Sequence, residues 1–462
     1  MGRTTKWVGG GVYELLRAVL GSAVRTYYRR IEVRHPERIP GAGPLLVVAN
    51  HPASLTDVLV LGAAMRRRLH FVAHSGLFRP WLRGYVLELA GTVPVYRRED
   101  NPALVHRNEE MFHACHRLLD EGGVVLIFPE GTSQSDRKVE KLKTGAARLA
   151  LANEFRPGHP GGLTLLPIGL HFVERTAFKS DVVLTVGRPI GLEEFRAAHA
   201  SDEAAAVRAL TERIQVAIER LILHVPSDDL AKLVRDVERL YREELRALAP
   251  DAPDLARARA VADCIEYFRR TDPPRLYQMW RSVAAYQRKL AALDLRDQTI
   301  RGLGRDEGPS TAQLALRAAL GLPFALAGAT LNFLPYRAAG IAGGWFAHDP
   351  TRLAFSRIVC GTVAFPLTYF AAAWAMTRWT TWSLGGIFAI LGASVPLGVF
   401  ALGYFRWFGR ERQRLRVGYL GMAGRRVVVR LRGERRRLVK LFDQARADYT
   451  SAATPGGGGA GP

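Results

Sequence analysis

Two uncharged apolar runs stand almost back to back late in the chain, Ile358–Thr377 and Thr380–Phe405. A helix needs about 20 such residues to cross the hydrocarbon core of a bilayer. The link around Arg378 and Trp379 is so short that the pair reads as a helical hairpin. Trp374, Trp379 and Trp382 cluster at the turn, where interfacial aromatics belong. Arg352 and Arg357 precede the pair, and Arg406, Arg410, Arg412 and Arg414 follow it. The positive-inside rule then puts both outer ends in the cytoplasm and the tip outside. Two buried helices of a soluble core are the competing reading, but consecutive runs of this length rarely lack charge. A third apolar stretch, Leu314–Leu334, is interrupted by Arg317, Gly321 and Pro323. An interfacial or re-entrant helix there keeps the number of crossings even; a third crossing would set the N-terminal domain opposite the basic tail.

The formal net charge of +22 and a pI near 10.5 call for an anionic partner, either nucleic acid or an acidic membrane face. Arginine is densest from Arg406 to Arg446, directly after the most apolar part of the chain. That placement selects membrane lipids, and no nucleic-acid partner is expected. Near the start, Val12, Leu16, Val19, Leu20 and Val24 recur at helical spacing, with Arg17, Arg25, Arg29 and Arg30 between or after them. The stretch is too short and charged to span and has no small-residue cleavage site. It is expected to lie on the membrane as an amphipathic helix, with packing against the next domain as the alternative. Cys115, Cys264 and Cys360 are far apart and form neither a disulfide framework nor a metal pattern.

Residues 31–200 alternate apolar strands with amphipathic helices. The strands are Ile31–Val33, Leu45–Ala49, Leu69–Ala73, Gly91–Tyr96, Val124–Phe128, Thr164–Leu170 and Val182–Val186. This is an α/β pattern, a sheet flanked by helices. Two strand ends carry chemistry: Asn50-His51-Pro52-Ala53-Ser54-Leu55-Thr56-Asp57, and Phe128-Pro129-Glu130-Gly131-Thr132-Ser133. Strand C-termini are where an open α/β sheet places its site. An imidazole, with an ordinary pKa of about 6.5, is largely neutral at pH 7 and suited to take a hydroxyl proton. A carboxylate on its far nitrogen would fix the tautomer and stabilise the imidazolium, as in a serine-hydrolase triad. His51 and Asp57 are the candidates, and no Ser or Cys nucleophile is required. For an isolated His-x5-Asp, a strand-end cap and a solvated helix residue would be the better reading; the surrounding blocks reverse that. Ser54 is expected to cap a helix. No H-E-x-x-H or Cys/His spacing implies a metal.

Four blocks in order over residues 45–172 resemble the glycerolipid O-acyltransferase family. They are Asn50 to Asp57, Gly91-Thr92-Val93-Pro94-Val95-Tyr96-Arg97, Phe128 to Thr132, and Leu165-Leu166-Pro167-Ile168-Gly169-Leu170. Lys143-Thr144-Gly145-Ala146-Ala147-Arg148 resembles the basic segment that follows the third block. The resemblance implies transfer of a fatty acyl group from acyl-CoA or acyl carrier protein to a glycerol hydroxyl, with no cofactor beyond that donor. It makes Arg97, with Arg98 beside it, the phosphate ligand, since a guanidinium grips phosphate oxygens in a fork. Glu130, Gly131 and Thr132 are expected at the glycerol, Gly131 allowing close approach. Lys143, at a helix start, is expected at the phosphate or the thioester oxyanion; a solvated lysine is the plain alternative.

The commoner family pattern leaves four residues between His and Asp; five stand here. On a continuous helix that step turns roughly 240° beyond one full turn and would splay the pair. They meet if His51 and Pro52 lie in a loop before a helix starting near Ser54. The longer spacer resembles the subgroup acting on glycerol 3-phosphate and dihydroxyacetone phosphate. Leu276-Tyr277, Ala285 to Leu290 and Leu293 to Asp297 resemble its helical extension. The expected order is a membrane-facing helix (1–30), the catalytic domain (31–200), a helical extension (201–310), a membrane region ending in a transmembrane hairpin (311–405) and a basic cytoplasmic tail (406–462). The whole would be an integral protein of the inner, cytoplasmic membrane, its catalytic domain facing the cytoplasm and making lysophosphatidate from glycerol 3-phosphate. Lysophosphatidate as acceptor, lysophospholipid remodelling, and a non-catalytic basic scaffold that would survive His51→Ala are the alternatives.

Overall fold

Seven apolar runs become seven strands: β1 (Arg30–Arg34), β2 (Leu45–Ala49), β3 (Leu69–His74), β4 (Val93–Val95), β5 (Val124–Ile127), β6 (Thr164–Phe172) and β7 (Asp181–Val186). The computed structural model describes residues 10–78, 81–96, 106–133, 139–157, 161–222, 228–302, 311–347, 349–419 and 421–453. It divides into two units, Met1–His224 with Arg337–Ala364, and Val225–Tyr336 with Phe365–Pro462.

In the first unit the strands form one mixed sheet in the order β1-β7-β6-β2-β5-β3-β4. All neighbours run parallel except β6 and β7. Its helices are α1 (Gly10–Tyr27), α2 (Leu55–Ala64), α3 (Trp81–Leu89), α4 (Asn108–Asp120), α5 (Gly145–Glu154), α6 (Arg196–Ser201) and α7 (Glu203–Leu221). A sheet of parallel strands needs cover on both faces, and central β2 accordingly has every residue buried. Its side chains alternate between two cores. Leu46 and Val48 pack with Cys115 of α4, Leu149 of α5 and Leu210 of α7. Leu45 and Val47 pack with Val24 of α1 and Val60 and Leu61 of α2. A Cβ on Gly169 would lie 2.6 Å from that of Leu221, so glycine sits where β6 passes under α7.

The expected membrane-lying helix is α1, and one of its faces packs on this domain. Tyr13, Val24 and Tyr27 are buried, and Arg17 and Arg25 donate to the carbonyls of Met65 and Ala63 at the end of α2. Leu15 and Val19 remain on the exposed side.

The second unit holds α8 (Asp228–Leu248), α9 (Asp254–Thr271), α10 (Pro273–Ala292), α11 (Asp297–Gly302), most of α12 (Thr311–Phe346) and α13 (Leu353–Trp379), and then α14 (Leu384–Tyr419) and α15 (Gly421–Ala453). Residues 421–453, within the expected basic cytoplasmic tail, form a helix that packs on α8–α11. Val428, Leu431, Leu438 and Phe442 are buried at helical spacing. Arg435 donates to Asp297 at 3.1 Å, to Glu244 at 3.0 Å and to the Leu240 carbonyl at 2.9 Å. Ion pairs Lys289–Glu434 and Arg275–Asp448, both 2.7 Å, extend the seam.

Among the described residues, three helical stretches are long and apolar enough to cross a membrane: Gln313–Phe346, Pro350–Trp379 and Leu384–Gly409. The third apolar stretch of the sequence therefore belongs to an unbroken helix that runs through Pro323 and Pro335. The start of α13 also differs from expectation. Ala354 and Ile358 are buried in the core against the sheet, so Ile358, read as the first residue of a span, belongs to the first unit.

Replacing Arg435 with Ala should strand Asp297 and Glu244 at roughly 3 kcal/mol, the low end for a broken buried ion pair. Hydrogen exchange of α15 amides should accelerate; unchanged protection would show that the seam does not depend on this guanidinium.

Candidate active site

Parallel neighbours deliver their C-terminal loops to the same edge, and the register decides which residues meet. Val48 of β2 pairs with Ile127 of β5, which sets His51 and Glu130, each three residues on, at the same height. The His51 amide donates to Glu130 Oε1 at 2.9 Å, and the Phe128 ring stacks on the imidazole, centroids 3.9 Å apart and planes 17° apart. On the other flank of β2, Asn50 donates to the Leu170 carbonyl at 3.0 Å and accepts from its amide at 2.7 Å. This amide pairing extends the β2–β6 ladder to the residue before His51.

The five-residue spacer is absorbed in the turn ahead of α2. Ser54 has φ 50° and ψ −134°, and it makes no side-chain cap hydrogen bond. The expected serine cap is thus a backbone reversal, in a region non-glycine residues enter at a cost of order 1–3 kcal/mol. The reversal sets Asp57 in the first turn of α2, where the helix N-terminus favours negative charge. Asp57 Oδ2 accepts from His51 Nδ1 at 2.9 Å and from the Ala53 amide at 2.8 Å. The imidazole is 17% exposed and the carboxylate not at all. A carboxylate can only accept, so Nδ1 is the protonated donor and the Nε2 lone pair is left free. Burial pushes the Asp57 carboxyl above the usual carboxylate range, opposed by the His51 hydrogen bond and charge, the Ala53 amide and the Arg175 charge.

Several roles differ from the sequence reading. Glu130, expected at the glycerol, is 4% exposed and accepts from the backbone amides of His51 and, at 3.5 Å, Glu140. It holds the His51 loop. Burial raises its pKa to about 7 against those two hydrogen bonds. Gly131, at φ 75°, takes a conformation that favours glycine, and its ideal Cβ would come within 3.0 Å of the Lys143 side chain. Lys143, exposed just before α5, therefore lies across this turn beside exposed Thr132. Arg97 and Arg98 lie outside the described residues. Strand β4, which precedes them, ends on the same sheet edge, three strands or roughly 14 Å from β2. Asn108 clamps its end by bonding the amide and carbonyl of Tyr96, both at 2.8 Å.

Arg175 was not singled out from sequence. It donates to the Pro52 carbonyl at 2.8 Å, inside the His-to-Asp spacer, and its charge lowers the Asp57 pKa. Tyr28 at the end of α1 donates to the Arg175 carbonyl at 3.1 Å. Lying outside every block, it gave no local signal. Among the described residues no group of three His, Cys, Asp or Glu side chains could hold a metal ion.

Glu130→Gln should change how stability depends on pH. A buried acid whose pKa rises from 4.5 to about 7 stabilises fully below pH 4.5, and that contribution disappears as pH climbs to about 7. Thermal unfolding should show the native protein losing stability relative to Glu130→Gln across this window and running parallel to it above. Parallel curves from pH 4.5 upward would contradict the burial.

The sheet domain that carries His51, Asp57 and the Gly131–Lys143 turn is similar to known proteins. The acyltransferase family model matches residues 30–171, from β1 to the end of β6. An uncharacterized acyltransferase of Schizosaccharomyces pombe is 22% identical over 63% of this chain and 55% of its own. Glycerol-3-phosphate O-acyltransferase 2 of Saccharomyces cerevisiae is 26% identical over 42% of this chain and 26% of its own. The 1-acyl-sn-glycerol-3-phosphate acyltransferase alpha of Mus musculus is 30% identical over 30% of this chain and 47% of its own. The chain spans about half, or less, of the length of these curated relatives. Residues 30–171, which carry His51 and Asp57, thus form an acyltransferase-family domain, similar to those of glycerol-3-phosphate and 1-acyl-sn-glycerol-3-phosphate acyltransferases.

Proposed function

We propose that the protein is a membrane-bound acyltransferase that moves a fatty acyl group from a thioester, acyl-CoA or acyl carrier protein, to a hydroxyl of glycerol 3-phosphate. The observation that carries this reading is the His51–Asp57 hydrogen bond, 2.9 Å long, set beside the Gly131–Lys143 turn. His51 Nε2 takes the proton as the hydroxyl oxygen attacks the thioester carbonyl. The tetrahedral oxyanion collapses, the C–S bond breaks, and the departing thiolate recovers the proton from the imidazolium. Asp57 offsets the charge on the ring between these steps. Lys143 and the backbone around Gly131 and Thr132 serve the acceptor phosphate or the oxyanion, with Arg97 and Arg98 as further phosphate ligands. Glu130 and Arg175 position the loop.

Glycerol 3-phosphate is favoured over lysophosphatidate by the five-residue spacer and by the helical extension, α8–α11. Lysophosphatidate remains the second reading because a relative of that specificity reaches 30% identity. An amphiphilic product gives membrane attachment a physical purpose, and three apolar helices supply the means. The positive-inside pattern supports a catalytic domain on the cytoplasmic face.

Membranes given labelled acyl donor and, in parallel, glycerol 3-phosphate, dihydroxyacetone phosphate and lysophosphatidate should consume the first fastest; preference for lysophosphatidate would select the second reading. His51→Ala should abolish transfer in every case, and retained transfer would overturn the proposed base. Asp57→Asn should be milder than in a triad, because the Ala53 amide keeps an oxygen facing the imidazole and only charge is lost. That loss is about 1.5–3 kcal/mol, a ten- to roughly 150-fold fall in kcat. Arg175→Gln should lower kcat about tenfold with little change in KM, and Arg175→Lys should recover part of it; a KM effect alone would make Arg175 a substrate ligand instead.

A further inference from the structure

Helix α13 starts inside the first unit, and its polar side chains there reach the loops that flank His51 and Asp57. Ala354 and Ile358 share a core with Ala49, which ends β2, and with Phe128, which stacks on the imidazole. Thr351 is buried at helical spacing from both. Gly343, near the end of α12, leaves room for the Arg357 stem: an ideal Cβ there would come within 2.7 Å of the arginine Cγ.

Arg357 Nη1 donates to the Thr176 carbonyl at 2.9 Å, and the Tyr27 hydroxyl donates to the same oxygen at 2.9 Å. Tyr28 donates to the preceding carbonyl, that of Arg175, at 3.1 Å. Residues 173–180 join β6 to β7. Bonds such as Glu174 amide to Ser180 Oγ, 2.9 Å, fold this loop on itself, whereas the donors from α13 and the end of α1 fix where it sits. Its Arg175 side chain then meets the Pro52 carbonyl at 2.8 Å. A path of hydrogen bonds therefore runs from α13 to the spacer between His51 and Asp57. A second contact comes from the turn ahead of α13. Asp349 accepts from the Thr351 amide at 2.7 Å, and the Thr351 hydroxyl lies 3.3 Å from that of Ser133, the residue after the Glu130-Gly131-Thr132 turn.

We propose that the start of α13 is a positioning element of the active site. Arg357 acts through Thr176 and Arg175 on the His51 loop, and Thr351 acts through Ser133 on the Gly131 turn. Both lie beyond residues 30–171, the part that the acyltransferase model matches, so that part does not hold its base alone. Because α13 runs on as an apolar helix long enough to cross a membrane, the same bonds tie the base to a helix fit to enter the bilayer. The kinetic consequence rests on the acyltransferase reading; the mechanical link does not.

Hydrogen exchange and acyl transfer by the full-length protein test the two parts separately. Arg357→Gln should speed exchange of the amides in residues 50–57, and Arg352→Gln, at an exposed neighbouring position, should not. Arg357→Gln should also lower kcat about three- to fivefold with KM unchanged, and Arg357→Lys, which still offers a donor, should recover part of it. A double-mutant cycle decides whether the path exists. Arg357→Gln should cost little more in the Arg175→Gln background, whereas Thr351→Val should keep its full effect there. Losses at Arg357 and Arg175 that multiply, or unchanged exchange in 50–57, would overturn the proposal. Should Arg357→Gln fail to fold, Tyr27→Phe removes the other donor to the Thr176 carbonyl and keeps the ring; it should speed the same exchange, and no change there would be equally fatal. Faster exchange in a protein that acylates none of the offered acceptors would uphold the link and reject the acyltransferase reading instead.

Discussion

One carboxylate oxygen organises the catalytic edge. Asp57 Oδ2 receives both the His51 imidazole and the Ala53 amide, and it can do so only because the chain reverses at Ser54 before α2 begins. The reversal sets His51 in a loop and Asp57 in a helix, which cancels the misalignment that a six-residue step would impose on one continuous helix. Everything nearby serves that turn. Glu130 holds the His51 amide, Arg175 holds the Pro52 carbonyl, Asn50 ties the strand end to β6, and Phe128 fixes the plane of the ring. The strain at Ser54 is borne by these contacts together.

The sheet was readable in advance because each strand is a short apolar run bounded by turn residues, and all seven were located to within a few residues. The central run, Leu45–Ala49, had to be covered on both faces, which already implied helices on two sides. The His–Asp encounter was legible as a condition, a loop followed by a helix, and the structure meets it. The bond from the His51 amide to Glu130 was not legible, for a physical reason. A carboxylate next to a glycine turn looks solvent-facing until the β2–β5 register shows that the His51 amide stands opposite it. Arg175 is 123 residues from Pro52, a contact that no local spacing encodes. Arginine density disguised α15 as a tail, although Val428, Leu431, Leu438 and Phe442 recur at the spacing of a buried helical face.

The second unit gives the charge its structural meaning. Part of the arginine excess is internal: Arg435 is only 11% exposed and closes a network with two acids, while Arg430, Arg436 and Arg437 stay outside. Net charge alone could not separate these populations. The membrane helices tell a similar story about length. Apolar residues in sufficient number permit a crossing, and the Asn332 amide, bonded to the Ser394 carbonyl and the Tyr369 hydroxyl, ties α12 to the other two apolar helices.

The central claim is a tautomer held by geometry, and nitrogen-15 NMR of histidine-labelled protein observes it directly, with His51→Gln identifying the resonance. The account predicts a proton on His51 Nδ1, strongly hydrogen-bonded, and a bare, basic Nε2. A His51 signal with the proton on Nε2 and a free Nδ1, unaffected by Asp57→Asn, would contradict it.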